Sequence, residues 1–149
     1  MSADLRIGLS AVIVASDGGE PTVLCTRRDG DQPALPFGPF DPEGHRTFEL
    51  GLRGWVDAQT GFNLGYVEQL YTFGDMGRDT PGARLAMGGE NDRIISVSYL
   101  ALTPESAEID TAFDARWRRW YAFFPWEDHR AGRPDIIDAQ ILPRLESWA

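Results

Sequence analysis

The chain has 149 residues, the size of one compact domain, and its 42% apolar and 11% aromatic content is typical of a folded protein. Its 23 acidic residues outnumber 14 basic ones, which gives a net charge of −9. This charge argues against binding of DNA or RNA by this chain alone, because polyphosphate backbones need a basic surface. All fourteen basic residues are arginine, so a Schiff-base lysine and a P-loop lysine are excluded.

The single cysteine, Cys25, excludes an internal disulfide, and with His45 and His129 it is too few for a zinc site built from Cys and His alone. No stretch reaches the roughly 18 apolar residues of a membrane span. The N-terminal sequence has no basic region followed by a long apolar core, so no secretory signal is predicted. These features predict a cytoplasmic protein.

The first third of the chain predicts two strands and a loop. Leu5–Ser16 and Pro21–Arg28 are rich in β-branched and small residues, and the turn Asp17-Gly18-Gly19 between them predicts antiparallel neighbours. Asp29–Gly44 holds many prolines and glycines and is predicted to be a loop.

An amphipathic helix is predicted over Thr47–Thr60, because its apolar residues recur at spacings of three and four. Thr47 is the expected N-cap and Gly61 the expected C-terminal stop. Interior glycines, here Gly51 and Gly54, each cost about 1 kcal/mol against alanine. They usually mark either a close approach of another group or a weakened helix, and close packing is preferred here.

The rest of the chain predicts two strands, a short aromatic-rich helix and a final helix. They are assigned to Tyr66–Phe73, Arg93–Leu102, Ile109–Phe124 and Asp135–Trp148. Pro143 is expected to kink or shorten the last helix. Residues 74–92, roughly 19 in number, exceed ordinary loop lengths, which predicts a functional or mobile segment.

This order of elements resembles the Nudix hydrolase fold, and the landmarks are Leu35-Pro36-Phe37-Gly38-Pro39-Phe40 before the helix and Thr60-Gly61-Phe62 after it. The resemblance implies an α/β class chain, an α/β/α sandwich with a mixed β-sheet. The Nudix signature is G-x5-E-x7-R-E-U-x-E-E-x-G-U, with U aliphatic. Aligned on Gly61, it places Arg46 at the first glutamate, Gly54 and Trp55 at the Arg-Glu pair, and Ala58 and Gln59 at the two metal-binding glutamates.

These replacements predict a non-catalytic domain with no metal and no cofactor. Nudix hydrolysis of a pyrophosphate needs divalent cations held by carboxylates on one helix face, whereas Ala58 offers no ligand and Gln59 only a neutral oxygen. The remaining acidic residues of the helix, Glu49 and Asp57, lie about 80° apart around it and more than two turns apart along it. They cannot share one metal ion.

A second resemblance concerns Tyr66-Val67-Glu68-Gln69-Leu70-Tyr71-Thr72-Phe73-Gly74-Asp75, Arg78-Asp79 and Ile95–Leu102. These segments are similar to the Nudix-like transcriptional regulators of NAD biosynthesis found in alphaproteobacteria. The match is ordered over most of residues 5–145, although Thr80–Asp92 is longer than the corresponding turn. In such regulators a Nudix-like N-terminal domain senses a nucleotide and a C-terminal winged helix binds DNA.

No helix-turn-helix pattern with a basic recognition helix follows Gly61. The resemblance therefore implies that residues 1–149 are the Nudix-like sensing domain and that the winged-helix domain lies beyond the chain shown. The alternative is a complete small domain.

The candidate ligand-binding residues are mostly arginines. Arg27 and Arg28 end the second strand beside the cleft that Nudix-like domains use, where guanidiniums suit a pyrophosphate. They point to opposite faces, and Arg27 is preferred as the ligand contact. The alternative is that one of them faces solvent and pairs with Asp29 or Asp31. Arg53 either reaches the cleft from the helix or forms a surface ion pair, and Arg78 either binds ligand or fixes a dimer.

Aromatic residues supply two further candidates. Phe73, like Phe37 and Phe40, offers a face on which adenine can stack, and two of these three are expected to pack in the core. The dense aromatic stretch Trp117–Trp126, interleaved with arginine, predicts core packing together with a homodimer or interdomain surface. Cys25 is expected to pack as a small hydrophobic residue.

The sequence thus favours a nucleotide-sensing domain of a transcriptional repressor of NAD biosynthesis, whose effector is an adenine nucleotide such as ADP-ribose, NAD or ATP. The first alternative is a Nudix-type hydrolase of nucleoside diphosphates, such as an ADP-ribose pyrophosphatase, that uses carboxylates outside the helix, with Glu68, Asp75 and Glu90 as candidates. The second is an interaction module without a ligand.

Overall fold

The computed structural model describes residues 4–28, 31–78, 84, 87 and 92–149, with Arg28 described by its backbone. These residues build a seven-stranded sheet with helices packed on it. The strands are β1 Leu5–Asp17, β2 Glu20–Arg28, β3 Gln32–Ala34, β4 Phe37–Pro39, β5 Glu68–Phe73, β6 Arg93–Thr103 and β7 Ala115–Arg119. The helices are α1 Phe48–Thr60, α2 Trp120–Phe123 and α3 Leu142–Trp148, with a 3-10 turn at Pro125–Glu127 and a π-helical turn at Ile137–Ile141.

The sheet is mixed because one central pair of strands is parallel. Its order is β3-β2-β1-β6-β5, with β4 and β7 attached to β1 and β2. The parallel pair runs from Leu5 opposite Arg93 to Ala15 opposite Thr103. The other edge of β1 is divided, since β4 pairs with its first half and β2 with its last residues. The predicted antiparallel hairpin of β1 and β2 is confirmed.

The core lies between the sheet and α1. Alternate residues of β1 point to the same face of a sheet, and the odd-numbered ones Leu9, Ala11 and Ile13 are fully buried against Leu52 and Val56 of the helix. Burying a side chain of this size contributes about 1.5–3 kcal/mol. This packing fixes α1 against the centre of the sheet.

The residues at the two ends of α1 determine where the helix begins and ends, as the sequence predicts. The Thr47 hydroxyl accepts a hydrogen bond from the Leu50 N–H at 3.1 Å, which satisfies one of the free donors at the helix start. At the other end Gly61 has φ 64°, and its N–H donates to the Asp57 carbonyl. A left-handed residue at this point favours glycine.

The two interior glycines of α1 have different surroundings. A Cβ added to Gly51 would lie 2.6 Å from His45 Nδ1 and 3.1 Å from the Leu9 side chain, so Gly51 permits a close approach. A Cβ added to Gly54 would meet nothing within 4 Å. The expectation of close packing is therefore confirmed at the first position and wrong at the second.

Two predicted segments differ from the structure. The segment predicted as the loop Asp29–Gly44 contains the short strands β3 and β4, and the helix predicted within Ile109–Phe124 is mostly the strand β7 followed by one turn of α2. The reason is tertiary: β2 pairs with β1 only as far as Val23, while β7 pairs with β2 from Thr22 to Thr26 and β3 pairs with it from Thr26 to Arg28. Partner strands supply hydrogen bonds that local propensity does not anticipate.

The final helical segment is altered next to Pro143, as expected. Proline lacks an N–H and disrupts the preceding turn of a helix, and the turn Ile137–Ile141 is π-helical before α3 begins. Among the described helices, none has the length and apolar character needed to cross a bilayer. Most of the predicted functional segment 74–92 and Glu90 lie outside the described residues.

Candidate functional site

The face of α1 that points to β4 is bonded to the backbone of that strand. Gln59 Nε2 donates to the Phe37 carbonyl at 2.7 Å, and the Phe37 N–H donates to Gln59 Oε1 at 3.1 Å. One turn earlier, Trp55 Nε1 donates to the Pro39 carbonyl at 2.9 Å. A Cβ on Gly38 would overlap the Trp55 ring, so the indole lies directly on the strand.

No arrangement of metal ligands is found on this face. Ala58 is exposed and Gln59 uses both atoms of its amide on Phe37. Of the two carboxylates of α1, Glu49 pairs with Arg53 at 2.8 Å and Asp57 is exposed. Within the described part of the chain, no three His, Cys, Asp or Glu side chains come together in a way that could hold a metal ion. The divalent cations that Nudix chemistry requires do not fit this helix.

Arg53 lies on a different side of α1 from Trp55 and Gln59, because these positions are about 160° and 120° away around the helix. Its guanidinium donates to the carbonyls of Leu64 and Gly65 at 2.5 and 2.7 Å, as well as to Glu49. It therefore ties α1 to the segment that leads into β5.

Arg27 lies near the end of β2, where it pairs with Pro33 of β3. Its guanidinium forms ion pairs with Asp31 at 3.1 Å and with Asp114 at 3.0 Å. The side chain of Asp31 is 97% exposed and that of Asp114 is 62% exposed. Exposed ion pairs contribute about 0–1 kcal/mol, so a phosphate can displace these carboxylates at little cost.

The end of β5 carries a stacked cation. The Arg78 guanidinium carbon lies 3.8 Å from the centroid of the Phe73 ring, and Tyr71 packs edge-on against Phe73 at 4.9 Å. We call Tyr71, Phe73 and Arg78 the β5 platform. Tyr71 is 61% exposed, so the platform offers an aromatic surface and a positive charge to solvent.

The structure brings together two of the four candidate ligand-binding residues, Phe73 and Arg78. Arg27 is on β2, and β1 and β6 lie between β2 and β5. Arg53 bonds backbone carbonyls elsewhere on α1. Ligand binding by these four residues stays a prediction.

The sequence analysis did not predict an apolar cavity on the sheet face opposite α1. Its volume is about 290 Å³, and its lining includes Val12, Cys25, Leu35, Trp120, Phe123 and Phe124. Burial raises the pKa of the Cys25 thiol, so the thiol is protonated at neutral pH and packs as a small hydrophobic group, as expected. The high aromatic content around Trp120 marks this region in the sequence, but aromatic content alone does not predict a cavity.

The predicted aromatic stretch Trp117–Trp126 is largely used within the fold. Trp117 Nε1 donates to the Ala107 carbonyl at 2.8 Å, and its ring packs edge-on against Phe62 beside the core. Trp120 stacks on Phe124 and donates to Glu127. Trp126 remains 40% exposed. The expected core packing is confirmed for Trp117, and a dimer surface here stays a prediction.

No family model matches the chain, and no curated protein matches its sequence. Solved structures share its fold. The Nudix domain of Shewanella oneidensis NrtR in complex with ADP-ribose is 20% identical, with a TM-score of 0.62 over 99% of this chain and 90% of that one. A MutT/Nudix family protein from Listeria innocua is 16% identical, with a TM-score of 0.59 over 99% and 98% of the two chains.

Shewanella oneidensis NrtR complexed with a 27mer DNA is 22% identical, with a TM-score of 0.58 over 76% of this chain and 50% of that one. The match thus spans about half the length of that protein. At these identities the likeness shows the fold, and the predicted Nudix-like α/β fold with a mixed sheet is confirmed.

Proposed function

We propose that this chain is a non-catalytic, nucleotide-sensing domain of a transcriptional regulator of NAD biosynthesis. The observation that carries the proposal is the bonding of Gln59 and Trp55 to β4. A Nudix fold whose helix face is committed to backbone bonds has lost the cation site that hydrolysis requires. The fold itself remains suited to nucleotides, since the NrtR Nudix domain is a structural neighbour that was solved with ADP-ribose.

The effector in this proposal is an adenine nucleotide: ADP-ribose, NAD or ATP. The β5 platform supplies an aromatic face for the base and Arg78 for a phosphate. Arg27 supplies a second guanidinium. Arg53 supplies a third when the ligand replaces the backbone carbonyls to which the Arg53 side chain is bonded. Loss of the helix carboxylates also removes charge that would repel a phosphate lacking metal. Binding is therefore expected to be independent of divalent cations.

The regulatory output in this proposal belongs to a longer protein. A C-terminal winged helix outside residues 1–149 would bind DNA, since the net charge of −9 makes this chain a poor ligand for DNA. The protein would act in the cytoplasm as a homodimer. A nucleotide that binds one geometry of the dimer more tightly would shift the spacing of two winged helices.

Calorimetry with ADP-ribose, NAD and ATP, each with and without EDTA, tests the effector class. We expect heat of binding with at least one of them, unchanged by EDTA. No heat and no thermal shift with all three at about millimolar concentration would contradict nucleotide sensing and favour an interaction module.

A steady-state assay of the same compounds with Mg²⁺ and Mn²⁺ tests the loss of catalysis. Turnover near 1 s⁻¹, about the ordinary range of enzymes, would overturn it. Binding abolished by EDTA would indicate a metal site elsewhere and would favour the hydrolase alternative with Glu68, Asp75 or Glu90.

A further inference from the structure

Strand β5 is the outermost described strand of the sheet on the β6 side. It pairs with β6 along one edge, and no described residue pairs with its other edge. An unpaired strand edge is a template for another strand. Five of the six residues of β5 are exposed. Large apolar side chains within the strand and next to it are also exposed to solvent. They are Tyr66, Leu70, Tyr71 and Met76, which are 50–83% exposed.

The two faces of β5 follow from its pairs with β6. Glu68, Tyr71 and Phe73 pair with even-numbered residues of β6, whereas Gln69 and Thr72 pair with odd-numbered ones. Paired residues share a face of the sheet, so Glu68 lies on the face of the β5 platform. Gln69 and Thr72 lie together on the face toward α1, where Gln69 Nε2 is 3.4 Å from Thr72 Oγ1.

Within the described residues, the platform face carries an anion and a cation that form no ion pair. Glu68 begins the strand and forms no ion pair with any described residue. Arg78 lies over Phe73 at the other end and likewise has no carboxylate partner among the described residues. The strand is therefore electrically asymmetric along its length, negative at its start and positive near its end.

We propose that β5 pairs antiparallel with β5 of a second copy of this chain, on a two-fold axis between Leu70 and Tyr71. In this register Gln69 lies opposite Thr72 of the other copy, and Glu68 lies opposite Phe73 of the other copy. The two residues of each pair lie on the same face of the sheet. Each Glu68 then meets the Arg78 that lies over the opposing Phe73. Two symmetry-related ion pairs form in an interface in which both copies use the same surface.

The charges favour this orientation over the alternative. A parallel pairing of the same two free edges would place Glu68 at the same end of both strands and away from Arg78 of the other copy, so neither ion pair would form. Leu70, which has no partner on β6 because the register shifts between Gln69 and Tyr71, lies at the axis and is half exposed. Its burial against Tyr71 of the other copy supplies the apolar centre of the interface.

This inference names a surface for the homodimer of the proposed function. Its ion pairs use Arg78, which the proposed function also offers to a phosphate, so the dimer is tested without nucleotide. A six-residue edge is smaller than a standard interface, so we expect a dissociation constant in the micromolar range. Sedimentation without nucleotide, from about 1 to about 200 µM, should show a monomer converting to a dimer. A monomer throughout would overturn the proposal and leave nucleotide sensing untouched.

Charge reversal tests the register. Glu68→Arg and Arg78→Glu each turn two attractions into repulsions and should weaken the dimer about tenfold or more. The double variant restores both pairs and should return the dissociation constant to within about threefold of the original. Trp126→Ala is the matched control, an exposed aromatic outside β5, and should leave the dimer unchanged.

A dimer that survives both single reversals, or one that the double variant fails to restore, would overturn the register. Loss of the dimer in Trp126→Ala would assign it to the aromatic stretch instead. Disulfide trapping gives a second measurement that needs no change of charge. Glu68→Cys/Phe73→Cys should cross-link two chains, because opposed residues lie within disulfide range, and Gln69→Cys/Phe73→Cys, on opposite faces, should not.

Discussion

The side-chain amide of Gln59 forms two hydrogen bonds with the backbone of Phe37, one with its carbonyl and one with its N–H. The carbonyl of Phe37 accepts at 2.7 Å and its N–H donates at 3.1 Å. A side-chain amide offers a donor and an acceptor side by side, whereas an ionised carboxylate offers only acceptors. The pair joins α1 to β4 at the place where the Nudix signature carries a carboxylate.

Gln59→Glu should therefore destabilise the protein at neutral pH. A carboxylate accepts from the Phe37 N–H but faces the Phe37 carbonyl without a donor, which costs about 1–3 kcal/mol. Protonation of the new side chain restores a donor, so the loss should shrink as the pH falls toward 4. Denaturant unfolding at pH 7 and pH 4 measures both effects. Ala58→Glu, at an exposed neighbour, is the control, and an equal loss there would contradict the role of the pair.

The two glycines of α1 should respond to alanine with opposite signs. Gly54→Ala meets no atom within 4 Å and should raise the free energy of unfolding by about 0.5–1 kcal/mol through helix propensity. Gly51→Ala forces a Cβ against His45 and Leu9, and overpacking of this kind costs about 1–3 kcal/mol. Thermal unfolding of both variants side by side is the measurement. Stabilisation by both would mean that His45 moves aside freely.

Arg27→Ala should weaken nucleotide binding by about one to two decades, since a charge-assisted contact to phosphate contributes about 1.5–3 kcal/mol. Asp31→Asn removes a competing carboxylate from the same guanidinium and should strengthen binding a few-fold. Calorimetry with the nucleotide that binds gives both values. Arg144→Ala, an exposed arginine of α3, is the matched control. Equal losses in Arg27→Ala and Arg144→Ala would indicate only a long-range charge effect.

Asp128 should contribute to stability in a pH-dependent way. The hydrogen bonds from Arg130, at 2.7 and 2.8 Å, lower the pKa of Asp128 from 3.8 to about 2. A carboxyl whose pKa is lowered by folding stabilises the native state above 3.8, and this contribution is lost as the pH falls from 3.8 toward 2. The difference in unfolding free energy between wild type and Asp128→Asn should shrink steadily across that window. A difference as large at pH 2 as at pH 7 would contradict this assignment.

Elements with local signals were predicted closely from the sequence. α1 has an apolar stripe, a threonine cap and a terminal glycine, and its predicted and observed bounds differ by one residue. The β1–β2 hairpin follows from its glycine turn in the same way. The short strands β3, β4 and β7 have three to five residues each. Their strand geometry comes from partners distant in sequence, which propensity does not report.

The candidate site was predicted less well, because charge alone does not say what a guanidinium binds. Arg27 forms the ion pair with Asp31 that was the alternative prediction, but it also pairs with Asp114, which is distant in sequence. Arg53 forms a surface ion pair with Glu49 and in addition bonds two backbone carbonyls that its residue type does not imply. The sequence shows that Gln59 stands where the Nudix signature has a glutamate. It does not predict that Gln59 bonds to Phe37, which lies 22 residues earlier. Phe73 and Arg78 lie in contact because only five residues separate them after the strand ends, but they were named as candidates on separate grounds and their contact was not predicted.

The parallel ladder of β1 and β6 has a consequence for biosynthesis. Each of its pairs joins residues 88 positions apart, so β1 leaves the ribosome long before its central neighbour exists. Until about residue 103 has been made, the nascent chain holds a hairpin whose inner edge is open to other chains. Closing so long a loop is also slow compared with forming a hairpin or helix. Binding of a chaperone to the unfinished chain should therefore be strongest before β6 emerges.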